Sequence, residues 1–226
     1  MTSAHFLYIP IIFSLGLLVG TLLSSYAETP IENNQKQNPQ ILKGRVLLSS
    51  FLIFIAVFIG THFFNVPRSS KAVSTALHGA DIFDKKPSFS SEEVYSRIAS
   101  FSIDGIELYK QFTYTIDILF PITLFVFLIF LSLYVTNRFF IPRRFQIALL
   151  LIPTVWFASD MVENYIIYYL LNTLPEKHEE LAGMLGYLTI TKFTLLLLSI
   201  AIPTLQRTFE KSFIRKSIAN TNQVNN

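Results

Sequence analysis

The chain has no cysteine, which excludes disulfides, thiolate chemistry and cysteine-ligated zinc, although it does not fix the redox compartment. Charge is scarce as well. Charged residues make up 15% of the 226 positions against 51% hydrophobic ones, a balance unlike that of a soluble globule of this length. The four histidines are scattered, and there is no phosphate-cradling glycine loop, no Gly-x-Ser-x-Gly elbow and no His-Glu-x-x-His pair. His178-Glu179-Glu180 matches only the start of that zinc motif and reads as a solvated loop. The formal charge of +3 does not mark a nucleic-acid binder, because the basic residues stand beside apolar blocks and form no run of five or six. The pattern calls for no cofactor and no metal.

What is present is apolar residue in blocks, with 22 Phe against 1 Trp. About 20 helical residues cross a hydrocarbon core of about 30 Å. Five stretches meet that length: Phe6 to Leu23, Val46 to Phe64, Asp117 to Val135, Gln146 to Leu170 and Leu181 to Pro203. The fold class expected is all-α, a polytopic transmembrane bundle with a four-helix core plus an extra N-terminal transmembrane helix. The first stretch also ends Ser25-Tyr26-Ala27, which puts small residues where a secretory cleavage would need them, so retention and removal both stay open.

Orientation follows Lys and Arg in short flanking segments. With five spans and an external N-terminus, ten basic residues fall inside: Lys36, Lys43 and Arg45, then Arg138, Arg143 and Arg144, then Arg207, Lys211, Arg215 and Lys216. The short external loop before the fifth span has only Lys177. This count favours a retained first helix and a cytoplasmic C-terminus. The organisation expected is therefore residues 1–45 as a spanning helix and polar cytoplasmic linker, 46–203 as the membrane core, and 204–226 as a basic cytoplasmic tail. Within the core, 65–116 is an external connector. Ser90-Ser91-Glu92-Glu93 gives cap and first-turn acids, and Val94, Ile98, Phe101 and Ile106 form an apolar stripe with a break near Gly105. One or two amphipathic helices lying on the bundle or the membrane surface are predicted there.

Polar residues inside apolar helices are the remaining signal, since each central Asp, Lys or Arg costs about 2.5–3.5 kcal/mol to insert. Asp160, Glu163 and Asn164 stand at i, i+3 and i+4 and share one helix face with Trp156 and Tyr168. Lys192 follows Thr189 and Thr191 in the last span. Counted from the external helix ends, Asp160 and Lys192 lie at a similar depth of about 15–17 Å, so they are expected to pair, Lys192 most closely with Asp160. Asp117, nearer the external end of its span, precedes Pro121, which bends or starts that helix. Asp117, Asp160 and Glu163 outnumber Lys192, so either water reaches the surplus or a proton or cation neutralises it. The candidate site is this intramembrane polar cluster: Asp117, Asp160, Glu163, Asn164 and Lys192.

The order Phe89-Ser90-Ser91-Glu92-Glu93-Val94-Tyr95, Asp104-Gly105 with Tyr109, Asp117-x-x-Phe120-Pro121, Asp160-x-x-Glu163-Asn164 and Thr191-Lys192 resembles a family of small uncharacterised bacterial multi-span membrane proteins. The resemblance covers about Val46 to Pro203 and implies a four-helix membrane core in a bacterial inner membrane, with no substrate. Family members often carry Arg after the Gly of the Asp-Gly pair, where this chain has Ile106. Three functions compete: a structural or interaction bundle, a small proton- or cation-linked transporter, and an enzyme acting on a lipid or isoprenoid through Asp117 or Glu163. The partners expected are the lipid bilayer and a lipid or small-molecule ligand near the external half of the bundle, with no nucleic acid.

Overall fold

Apolar segments inside a bilayer have no water to satisfy their backbone amides, so they close those bonds internally as helices. The computed structural model describes residues 39–64, 66–138 and 143–224 and is helical, with no strand among the described residues. Helix α1 spans Pro39–His62, α2 Ser70–Ala76, α3 Ser91–Ala99, α4 Ile103–Thr113, α5 Ile116–Arg138, α6 Arg143–Asn172 and α7 Glu179–Val224. Among the described residues four segments are long and apolar enough to cross a membrane: Gly44–His62, Ile103–Thr136, Arg143–Asn172 and Glu179–Leu205. These are the four spans of the expected core. The fifth expected span, Phe6 to Leu23, lies outside the described residues.

The connector packs on the bundle and contains α2, α3 and α4. Each begins on a serine that accepts a backbone N–H: Ser69 from Ala72, Ser90 from Glu93 and Ser102 from Gly105. Glu93 reaches back to the N–H of Phe89 at 3.2 Å, a variant of the capping box. The break in the apolar stripe falls at residues 100–102, before Gly105. Gly105 sits inside α4 because a Cβ there would stand 2.7 Å from Leu77 Cδ2 and 2.9 Å from the Ala76 carbonyl. Its role is close packing against the end of α2.

Two apolar cores result. The outer one joins Val73, Leu77, Phe83, Val94 and Ile98 of the connector to Ile166, Ile167, Leu170 and Leu171 of α6 and to Ala182 and Leu185 of α7. The inner one joins α1, α5, α6 and α7 through Phe51, Phe54, Phe127, Leu128, Trp156 and Ile200. Along its α1–α5 seam the rings of Phe54 and Phe127 stack at 6.0 Å, and Phe58 meets Phe120 at 5.5 Å. Pro153 inside α6 has no N–H to give the Leu149 carbonyl, and Ser132 of α5 donates to that oxygen at 2.8 Å instead. Pro121 likewise lies inside α5, five residues after its start, and leaves the Asp117 carbonyl without its helical donor.

Candidate functional site

The residues between the two cores are polar. On α6, Trp156 belongs to the inner core and Ile166 to the outer one, with Asp160, Glu163 and Asn164 between them. On α7, Thr189 and Lys192 fall between Leu185 and Leu196 in the same way. A buried polar layer therefore divides the apolar interior where the connector meets the spanning helices. The outer turns of α6 and α7 are jacketed by connector side chains on one face, so the layer lies under a protein cap.

Lys192, 4% exposed, is the centre of this layer. Its Nζ stands 2.5 Å from Glu163 Oε2, 3.0 Å from Asp160 Oδ1 and 3.3 Å from Asp84 Oδ2. Three carboxylates thus surround an ammonium that carries three protons. Glu163 is the nearest partner, not Asp160, because i+3 places its longer side chain directly across from α7. The other Glu163 oxygen, Oε1, accepts from the hydroxyl of Thr189, one turn before Lys192 on the same face. Thr191 is exposed and takes no part, since a single helical step turns it away from Lys192.

Asp117 and Asn164 share the layer without joining the ion-pair group. Asp117 is buried and within electrostatic reach of Asp84, Asp160, Glu163 and Lys192. Among the described residues, both polar atoms of the Asn164 amide are buried without a hydrogen-bond partner, as is Asp84 Oδ1. Asp84, Asp117, Asp160 and Glu163 together face one lysine. Among the described residues no group of three or more His, Asp or Glu is arranged to hold a metal ion; the ammonium occupies the centre that a cation would take.

Asp84 was not legible as a member of this cluster. It lies in Phe83-Asp84-Lys85-Lys86, which in sequence looks like a solvated charge run. The structure places it in a turn whose neighbours Ile82 and Phe83 are 3% and 1% exposed, so the loop points inward. Arg97 of α3 fixes that loop by donating to the carbonyls of Lys86 at 2.5 Å and Asp81 at 2.7 Å and to Ser88 Oγ at 2.7 Å. Its guanidinium also lies 4.4 Å from the centroid of the Phe83 ring. Burial lowers the Arg97 pKa, opposed by Tyr109, Glu93 and Asp81. Tyr109 of α4 completes the mould by accepting the Phe83 N–H at 2.9 Å. The one available signal was the apolar pair Ile82-Phe83 inside an otherwise polar loop.

Compared with known proteins, the chain matches no family model, no curated protein and no solved structure.

Proposed function

We propose that this chain is a structural or interaction protein of a bacterial plasma membrane, in which the polar layer locks an external cap onto a four-span bundle. One observation carries the reading: Lys192 is held by carboxylates from both α6 and the connector, so a single buried ammonium ties the cap to the bundle. An isolated charge at such a site is costly. The Glu163 and Asp160 contacts join α7 to α6, and the Asp84 contact, 3.3 Å from Nζ, is the one that requires the connector to be seated. The orientation that fits has the cap and the N-terminus external and the C-terminus cytoplasmic, with the first apolar segment retained as a span. The motif order that resembles small bacterial multi-span proteins supports the same membrane.

The test uses the absence of cysteine. Val73→Cys places one thiol in the outer core, where Val73 is 0% exposed. In otherwise unchanged protein this thiol is expected to resist an impermeant maleimide, and in the Lys192→Met background it is expected to react. Equal protection in both would mean that the layer does not hold the cap.

A second reading, a proton- or cation-linked transporter, is favoured by the four carboxylates facing one lysine and by the unpartnered Asn164 amide. It requires proton or cation flux through purified protein in liposomes that Asp160→Asn abolishes. Flux unchanged by that substitution would remove it.

A further inference from the structure

Between α1 and α5 lies a groove of about 360 Å³. It is lined by Arg45, Val46, Ser49, Ser50 and Ile53 on α1 and by Ile122, Thr123, Val126 and Phe130 on α5. The two helices run antiparallel, with Phe51 against Phe127 and Phe58 against Phe120, so Arg45 marks the end opposite the connector. The hydroxyls of Ser50 and Thr123 are spent on their own helices, donating to the carbonyls of Leu47 at 2.8 Å and of Leu119 and Phe120 at 3.0 Å. That leaves an apolar trough with polar capacity at one end.

At that end Arg45 and Ser49 stand at i and i+4, on one face and both exposed. Among the described residues no carboxylate pairs with Arg45, and Ser49 makes no side-chain hydrogen bond. From Arg45 to Ile53 the trough runs eight residues, about 12 Å at the helical rise. One leaflet of hydrocarbon is about 15 Å deep, half of the bilayer core. A guanidinium with no carboxylate partner among the described residues, above a trough of about one leaflet's depth, matches a phospholipid in both charge and length.

We propose that this groove binds an anionic phospholipid, with one acyl chain along Val46, Ile53, Ile122 and Val126 and the headgroup phosphate on Arg45 and Ser49. The guanidinium supplies paired N–H donors to the phosphate oxygens, and the negative headgroup gives it a counter-charge that none of the described residues provides. The headgroup end of the site lies at the opposite end of the bundle from the polar layer, and none of the residues of that layer lines the groove.

Full-length protein purified with phosphatidylglycerol and phosphatidylcholine in equal amounts, then examined by native mass spectrometry, tests this. Wild-type protein is expected to retain phosphatidylglycerol in preference. Arg45→Gln should weaken that retention about tenfold, as loss of a charge-assisted phosphate contact implies. Arg144→Gln, an exposed change at α6 outside the groove, should leave it unaltered. Val126→Trp, which fills the trough from a side chain 41% exposed, should displace the lipid while the melting temperature stays close to wild type. Equal retention of the two lipids would overturn the site, and so would equal losses from Arg45→Gln and Arg144→Gln, which would indicate surface charge alone. Retention unaffected by Val126→Trp would also overturn it, with the chain's own apolar segment 6–23 then the first alternative occupant.

Discussion

Lys192 carries one charge among several carboxylates, and the consequence is an asymmetry between its removal and theirs. Lys192→Met leaves Asp84, Asp160 and Glu163 facing each other without a cation and should cost about 3–5 kcal/mol, the scale for breaking a buried pair. Asp160→Asn leaves the lysine two carboxylates and should cost less. Adding Asp160→Asn and Glu163→Gln to Lys192→Met should recover part of the loss, because each removes an orphaned charge. Thermal unfolding of the four proteins in detergent decides it; Asp160→Asn as damaging as Lys192→Met would mean that the lysine depends on Asp160 alone. Ser132 offers a second residue-scale test. Ser132→Ala should cost about 1 kcal/mol by stranding the Leu149 carbonyl, and Pro153→Ala should offset it by restoring a helical donor to that oxygen. Equal losses from Ser132→Ala with and without Pro153→Ala would sever the link between hydroxyl and proline.

Helix α7 shows how an element is specified by what it touches. Its Gly186 donates its backbone N–H to the Ser88 carbonyl at 2.9 Å, and a Cβ there would stand 2.6 Å from both that oxygen and Phe89 Cδ1. Gly183, one turn earlier, has open space within 4 Å. Gly186→Ala should therefore destabilise by about 1–3 kcal/mol, since the clash is with backbone that cannot rotate away. Gly183→Ala should instead stabilise by up to about 1 kcal/mol through helix propensity, as measured by thermal unfolding. A shared sign for the two would mean that the connector does not seat on α7 as described. In sequence the glycines are indistinguishable, because their difference arises from the loop at Ser88. The cap at Ser90 was more visible, being a local contact across three residues.

For the whole molecule, the proposed topology predicts where a thiol is accessible on intact cells. Glu176→Cys, in the turn between α6 and α7 with 74% of its side chain exposed, should react with an impermeant reagent. Asn222→Cys should react only after the membrane is permeabilised. The reverse pattern would invert the bundle and place the cap in the cytoplasm. In either orientation, the cap and spans form one structure through α6 and α7, which contribute to both apolar cores.

The sequence by itself determined the four spans of the core, because hydrophobic length is a local property that the bilayer reads directly. It also determined that Asp160, Glu163 and Asn164 face inward together, since helical periodicity fixes which residues share a face. The meeting of Lys192 with that face followed from matched depth on neighbouring helices. Only the tertiary structure decided that Glu163 is the nearest partner, that Thr189 and not Thr191 supports it, and that Asp84 closes the group from outside. Asp84 reaches Lys192 through the contacts of Arg97, Tyr109 and Phe83, which come from separate parts of the connector and leave no periodic trace. A polar layer between two cores is a property of how elements stack, and stacking is set by packing between residues distant in the chain.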